Sequence, residues 1–271
     1  NQLLGPQNDM ATIRLKGISV MIHFVGAGPG APDLITLRGA ELLKRAGVVI
    51  YAGSLVNPAL LGLCPAGCSV YNSAEMTLEQ VLDVMEQAAA RGLEVVRLHT
   101  GDPCLYGAVR EQMDALDRLG LPWDETPGVS SFCAAASAMG AEYTLPGVSQ
   151  SVIITRMAGR TPVPEREGIA ALASHGASMV IFLSAGMLPA LQAELLKGAY
   201  KADTPAALVY KATWPEEKVA RCPLGQLADT GARLGISKTA LVLVGDFLGA
   251  AYQRSQLYHP AFSTEFREAS E

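Results

Sequence analysis

The sequence predicts an α/β protein made of two α/β domains with largely parallel sheets. Short runs rich in Val and Ile alternate with helical patterns along its 271 residues. Hydrophobic residues make up 49% of the chain, enough to fill substantial cores. The second half repeats this alternation with different motifs, so two domains are expected rather than one.

The first half contains four short segments that predict strands, with helical patterns between them. The strands are expected at Ile22–Gly26, Val48–Tyr51, Glu94–Leu98 and Trp123–Glu125. The best-marked helix follows Thr77, because Thr77 and Gln80 have the spacing of a capping box and Gly92 supplies a stop. Further helices are predicted over Leu34–Ala46, after the loop HTGDPCLYG, and from PGVSS onward.

The second half has the same organisation. Strands are predicted at Ser151–Thr155, Ser178–Leu183, Ala206–Tyr210 and Ala240–Val244. Helices are predicted over Glu165–Ser174, Leu188–Lys197 and Leu224–Leu234. Between the halves, EYTLPGVSQ holds Pro146 and Gly147 and lacks a helical stripe, which favours a domain boundary there. We therefore expect a poorly ordered tail over 1–20, domains over 21–145 and 146–250, and a second tail over 251–271.

Composition narrows the class of protein. A net charge of −5, with no long basic block, gives no footprint for nucleic acid. The chain has no apolar run of about 18 residues and no signal-like start, so we expect a cytoplasmic protein without a membrane partner. The five cysteines are an odd number scattered through the chain, which favours reduced thiols. Cys64 and Cys68 lack a second ligand pair, so no metal site is expected.

The turn VGAGPGAPDLIT follows the first predicted strand and raises the possibility of a nucleotide site. Its spacing Gly26-x-Gly28-x-x-Ala31 fits the loose dinucleotide fingerprint. Pro29 and Pro32 delay the following helix, however, and the second strand ends without the acidic residue that would grip a ribose. No Gly-Lys-Ser/Thr follows either, so a P-loop is excluded.

What remains is a proline-braced turn at the carboxyl edge of a parallel sheet, where α/β proteins bind ligands. Thr100-Gly101-Asp102-Pro103 follows another strand of the same domain. Val129-Ser130-Ser131 begins a helix, whose first N–H groups are free to bind a ligand. Three loops at one edge predict a pocket.

Several strings now indicate a family. GAGPG after the first strand, HTGDPCLYG, PGVSS and LVLVGDFL resemble the tetrapyrrole methylases, which use S-adenosyl-L-methionine. The resemblance runs from about Met21 to about Leu248. Within that family, VVIYAGSLVNPALL, YGAVREQMDAL and TLPGVSQSVIITRMAGRTPVPE are similar to the branch that methylates precorrin-4 at C11 in cobalamin synthesis.

The resemblance implies a homodimer of two-domain chains, with cofactor and tetrapyrrole in a trough between the domains. The family's cofactor contacts match Pro29, Thr100, Gly101, Asp102, Leu105, Ser130, Ser131, Ser184, Ala212, Thr239 and Ala240. Tyr106, Arg156 and Arg160 are candidates for the substrate, because a precorrin carries many carboxylates and arginine binds carboxylates in bidentate fashion. No residue is assigned as a catalytic base.

Structural roles compete with these functional ones. The glycines of GAGPG could form an ordinary turn, and Asp102 could cap the next helix. His99 is expected to be a core residue rather than a base, and Tyr106 could simply pack. Arg156 and Arg160 could be solvated surface residues.

Three other functions stay open at this point. The chain could methylate a different macrocycle, such as cobalt-precorrin-4, precorrin-2, precorrin-3 or uroporphyrinogen III. A nicotinamide-dependent reductase would use GAGPGA as a dinucleotide turn. A tetrapyrrole carrier would bind the macrocycle without turnover.

Overall fold

The computed structural model describes residues 20–249 and 251–270, so all of the predicted N-terminal tail except Val20 lies outside the described residues. The chain divides into two compact units between Val129 and Ser130. This division precedes the expected boundary at 145/146 because the helix that starts at Ser131 packs within the second unit. Its Ala135 shares an apolar cluster with Val180 and Ala207 of that unit.

The first unit contains a parallel sheet of five strands in the order β3-β2-β4-β1-β5. Its strands are β1 Ile22–Gly26, β2 Val48–Tyr51, β3 Ser69–Asn72, β4 Val95–His99 and β5 Trp123–Thr126. Its helices are α1 Leu37–Arg45, α2 Leu78–Ala90 and α3 Arg110–Leu119. Separate apolar clusters cover the two faces, one centred on Phe24 and Met85 and the other on Val25 and Leu43.

Local signals set the helix ends of this unit. The capping box is confirmed, since Thr77 Oγ1 accepts from the Gln80 N–H and Gln80 Oε1 accepts from the Thr77 N–H. The first helix begins at Leu37 rather than Leu34, because the Thr36 hydroxyl accepts from the Gly39 N–H at 3.1 Å. Residues Pro32–Leu34 form a separate 3-10 turn ahead of it.

The second unit contains a mixed sheet in the order β6-β7-β10-β8-β9. Its strands are β6 Val152–Arg156, β7 Ser178–Phe182, β8 Pro205–Tyr210, β9 Lys218–Pro223 and β10 Ala240–Val244. Its helices are α4 Ser131–Met139, α5 Ile169–Ala173, α6 Leu188–Leu195 and α7 Leu227–Leu234. No helix among the described residues is long and apolar enough to span a membrane.

The expectation of a largely parallel second sheet is wrong. Only β6 and β7 run parallel, whereas β10 is antiparallel to both of its neighbours and β9 is antiparallel to β8. The short connection 211–217 between β8 and β9 suits antiparallel pairing, since a parallel crossover needs a dozen residues or more. Strand β9 was not predicted, because its side chains are mostly exposed and include Lys218 and Arg221.

Candidate cofactor and substrate site

The loops that follow β1 and β4 lie side by side at the carboxyl edge of the first sheet. The Ala27 N–H donates to the His99 carbonyl at 2.7 Å. Beyond it, Gly28 and Gly101 exchange two backbone hydrogen bonds of 3.2 and 2.9 Å. Beyond the parallel pairing of β1 with β4, GAGPG and TGDP are therefore joined by an isolated antiparallel bridge, which brings these two predicted motifs together.

Glycines let the loop after β5 join the same edge. A Cβ atom at Gly128 would lie 2.1 Å from the Gly101 carbonyl oxygen, and one at Gly26 would lie 2.6 Å from that oxygen and from the Gly128 Cα. Real side chains do not come this close to backbone atoms, so the backbones meet only because these positions are glycine. Gly28 has a different requirement, its positive φ of 80°. Three loops are thus fixed by direct backbone contact.

Asp102 fastens two of these loops. Its Oδ1 accepts from the Cys104 N–H at 2.8 Å and its Oδ2 from the Gly128 N–H at 3.0 Å. Burial opposes ionisation, but the bonds from Cys104 and Gly128 outweigh it and lower the pKa of Asp102. The alternative that Asp102 caps the next helix is wrong, because α3 begins only at Arg110.

Two polar atoms beside Gly101 have no hydrogen-bond partner among the described residues, namely Thr100 Oγ1 and His99 Nε2. Both atoms are buried, and buried polar atoms without partners are uncommon in folded proteins. Burial, with a smaller effect of the nearby Arg97, lowers the pKa of His99 to about 3. The imidazole is therefore neutral at physiological pH, and its stacking on Phe24 at 6.1 Å fits the expected core role.

The remaining predicted residues of the first unit lie in the loops themselves. Pro29 is buried in the first loop, and Leu105 is half-buried in the loop after β4. Tyr106 is 45% exposed and has a φ of 57°, a conformation that is uncommon for a bulky side chain. A Cβ atom at Gly107 would lie 2.2 Å from the Pro103 carbonyl oxygen, so this loop is also closely packed.

Residues from the second half converge on one edge of the second sheet. Ser184 lies two residues beyond the end of β7 and is fully buried. Its Oγ accepts from the Met157 N–H at 2.9 Å and donates to the Phe182 carbonyl at 2.7 Å. Ala240 pairs with Tyr210, and the Lys211 N–H donates to the Thr239 carbonyl at 3.0 Å.

The backbone is strained at this second edge. Four non-glycine residues there have a positive φ: Leu183, Lys211, Thr213 and Thr239. Such conformations cost free energy and are concentrated at functional sites. Ala212, another predicted contact, is buried and lies between Lys211 and Thr213 in the chain.

Ser130 and Ser131, predicted from PGVSS, are the N-cap and first residue of α4.

The two candidate arginines have different surroundings. The Arg156 guanidinium donates to the Thr161 carbonyl at 3.2 Å and to the Pro162 carbonyl at 2.7 Å, so it holds its own loop. Arg156 is therefore not a freely solvated surface residue, which was the alternative to its role in substrate binding. Arg160 is exposed in that loop.

Two polar residues near the first edge were missed from the sequence. The buried Arg97 donates to Gln112 Oε1 at 3.0 Å and to the Ile50 carbonyl at 3.1 Å, and burial lowers its pKa to about 10. The sequence feature that could have identified Arg97 is a single arginine within the mostly apolar run at β4. Asn57 donates to the Gly30 carbonyl at 2.9 Å, and its position before Pro58 suggested only a turn.

The fold is that of a two-unit α/β protein with glycine-rich loops packed at one edge of the first sheet, and comparison with known proteins assigns the family. The family model for Tetrapyrrole (Corrin/Porphyrin) Methylases matches residues 21–228. The chain belongs to this family.

Individual relatives and solved structures are similar over almost their whole lengths. The chain is 48% identical to the cobalt-precorrin-4 C(11)-methyltransferase of Methanocaldococcus jannaschii, over 92% of this chain and 96% of the relative. It is 44% identical to a precorrin-4 C(11)-methyltransferase of Sinorhizobium sp, over 92% and 99%.

Two solved structures extend the comparison. A cobalt precorrin-4 methyltransferase described as a cobalamin biosynthetic enzyme superposes with a TM-score of 0.83 at 44% identity, over 85% of this chain and 96% of that one. A uroporphyrin-III C-methyl transferase from Thermus thermophilus, complexed with S-adenyl homocysteine, gives 0.72 at 28% identity, over 84% and 98%.

Proposed function

We propose that this chain transfers a methyl group from S-adenosyl-L-methionine to C11 of precorrin-4, giving precorrin-5 in cobalamin biosynthesis. The observation that carries the proposal is near full-length identity of 48% and 44% to two enzymes named for methylation at C11. One is named for cobalt-precorrin-4 and the other for precorrin-4, so both forms of the substrate are candidates.

The first sheet edge fits the cofactor. Thr100 Oγ1 is a buried polar atom without a hydrogen bond in the described part of the chain, so a ligand group could satisfy it. The glycine contacts bring backbone groups of three motifs, GAGPG, TGDP and PGVSS, together at this edge. The proposed contacts here are Pro29, Thr100, Gly101, Asp102 and Leu105. The solved relative that holds S-adenyl homocysteine supports this choice of cofactor.

Further contacts are proposed from the second unit. These are Ser130, Ser131, Ser184, Ala212, Thr239 and Ala240. The bonds of Ser184 are taken up by Met157 and Phe182, so its role is to shape the edge rather than to offer a free hydroxyl. Strain at Lys211 and Thr239 supports a functional role for this edge.

The chain's own residues supply alignment. When bound, the cofactor supplies an activated methyl group on sulfur, so a protein nucleophile is not required. Holding reacting atoms about 3–3.5 Å apart in line can contribute several kcal/mol by proximity. The loops fastened by Asp102 and the glycines hold that geometry. His99 is not proposed as a base, since burial lowers its pKa to about 3. No other residue is assigned to move a proton.

We also propose an oligomeric state and a cellular location for this chain. The family resemblance supports a homodimer that acts in the cytoplasm on a small tetrapyrrole, and sedimentation of the purified chain tests the first part.

Binding and turnover together test the proposed function. Calorimetry should show binding of S-adenosylmethionine or S-adenosylhomocysteine, and NADPH should not compete. Incubation with precorrin-4 should release S-adenosylhomocysteine faster than incubation with uroporphyrinogen III. NADPH binding without S-adenosylmethionine binding at millimolar concentration would favour a reductase, whereas tetrapyrrole binding without release of S-adenosylhomocysteine would indicate a carrier.

Arg156 and Arg160 are proposed to bind substrate carboxylates. Replacing both with alanine should raise the dissociation constant of the tetrapyrrole at least about tenfold, because each arginine–carboxylate pair contributes on the order of 1.5–3 kcal/mol. Since Arg156 already holds the Thr161 and Pro162 carbonyls, Arg160→Ala should account for most of the direct loss. Affinity for S-adenosylhomocysteine should be nearly unchanged, as measured by calorimetry.

Arg166 offers a matched control, because it is exposed in the same unit and is paired only loosely, with Glu167 at 3.7 Å. Arg166→Ala should bind the tetrapyrrole like the wild type. If the folded double variant also retains wild-type affinity, the carboxylates bind elsewhere.

A further inference from the structure

Asn57 links a short helix to the GAGPG turn. Its Nδ2 donates to the Gly30 carbonyl at 2.9 Å, while its Oδ1 accepts from the Ala59 N–H at 3.0 Å. The second bond caps the 3-10 helix Pro58–Leu63. That helix is anchored by Leu60, which is 1% exposed within the apolar cluster of the first unit. The amide is thus tied to a fixed element on one side and to the turn on the other.

The GAGPG turn is held by hydrogen bonds on both sides of Pro29. Gly28, at a φ of 80°, is held by its two bonds to Gly101. Pro29 has no N–H to donate, so its own backbone nitrogen makes no hydrogen bond in the turn. The bond from Asn57 fixes the far side of Pro29 at Gly30. The bonds at Gly28 and Gly30 flank Pro29, so the turn is held on both sides of this proline.

We propose that Asn57 is a positioning residue for S-adenosylmethionine, acting through the Gly30 carbonyl. The inference rests on the proposed function and adds a residue outside GAGPG, TGDP and PGVSS. A loop held in its binding conformation before the ligand arrives loses less conformational entropy on binding. Removal of the amide donor should therefore weaken cofactor binding more than it weakens the fold.

Asn72 provides a matched comparison within the same unit. It caps the 3-10 helix Ser73–Glu75 in the same way, with its Oδ1 accepting from the Ala74 N–H at 3.1 Å. Its Nδ2 donates to Glu75 Oε1 at 3.0 Å, inside its own turn. The two asparagines therefore make the same capping bond and differ in the group that receives the amide donor.

The test compares Asn57→Asp with Asn72→Asp. Aspartate keeps the capping oxygen, so both variants should fold. Each variant also sets an oxygen against the former acceptor, Gly30 or Glu75, so both should lose a similar, modest amount of stability. At position 57 the new carboxylate oxygen faces the Gly30 carbonyl, where it repels instead of donating. Calorimetry should show the dissociation constant of S-adenosylhomocysteine raised about tenfold in Asn57→Asp and changed less than about twofold in Asn72→Asp. In steady-state assays, KM for S-adenosylmethionine should rise while kcat at saturation stays within about twofold.

Asn57→Ser separates a lost donor from an added charge. Serine keeps a capping oxygen without the charge, but its shorter side chain does not reach Gly30, so cofactor affinity should still fall by several-fold. Wild-type affinity in folded Asn57→Asp and Asn57→Ser, or an equal loss in Asn72→Asp, would overturn the inference alone. A wild-type chain that binds no S-adenosylhomocysteine would instead overturn the proposed function, and this inference with it.

Discussion

Replacing Gly128 with alanine is expected to lower the free energy of unfolding by about 3 kcal/mol and to weaken S-adenosylmethionine binding at least about tenfold. The new Cβ would lie 2.1 Å from the Gly101 carbonyl oxygen and 2.8 Å from the Gly26 Cα. These are backbone atoms, which cannot rotate away, so the three loops would have to separate. Chemical denaturation and calorimetry with S-adenosylhomocysteine measure the two effects.

Gly62 is the matched control for this substitution. It lies in the 3-10 helix Pro58–Leu63 of the same unit, and no described atom comes within 4 Å of a Cβ placed there. Gly62→Ala should change stability by no more than about 0.5 kcal/mol. Wild-type stability and affinity in Gly128→Ala would mean that the loops are not fixed by this contact.

Replacing Asp102 with alanine should weaken cofactor binding by about 1–3 kcal/mol and also destabilise the fold. The Cys104 and Gly128 N–H groups would both lose their acceptor, and the loops after β4 and β5 would lose their shared anchor. Asp114→Ala is the control, because Asp114 makes an exposed pair with Arg110 that contributes little.

The stability effect of Asp102 should depend on pH. Because folding lowers the pKa of Asp102, its ionised form stabilises the fold above the unfolded pKa of about 3.9. The difference in unfolding free energy between wild type and Asp102→Ala should be largest near pH 7 and shrink as the pH falls through the folded pKa.

For cofactor binding, unchanged affinity in the folded Asp102→Ala variant would limit Asp102 to a structural role.

Much of the fold could be predicted where local chemistry sets the structure. The Thr77 and Gln80 capping box defines the start of α2, and the apolar run at β1 is buried on both faces, as a central parallel strand should be. Strands β3 and β9 escaped prediction because their half-exposed sequences, SVYN and KVARCP, lack an apolar run. The antiparallel pairing of β10 depends on distant partners, which its own sequence does not encode.

The candidate site also has features that the local sequence predicts and features that depend on distant segments. GAGPG and TGDP were expected at one sheet edge, and the paired bonds between Gly28 and Gly101 confirm that they meet there. The glycine contacts, the Asp102 bridge and the Asn57 bond all join segments far apart in the chain, so no local pattern predicts them. The sequence predicts that Arg156 faces the substrate. In the structure its guanidinium donates to carbonyls of its own loop, a contact that depends on side-chain packing and that no local pattern predicts.

The most direct test is the position of the methyl group in the product. Precorrin-4, with and without cobalt, would be incubated with S-adenosylmethionine labelled with ¹³C in its methyl group, and the product examined by NMR and mass spectrometry. We predict one labelled methyl at C11 of at least one form and one equivalent of S-adenosylhomocysteine. A label at another carbon, or turnover of a different tetrapyrrole while both forms of precorrin-4 remain unmethylated, would contradict the proposed function.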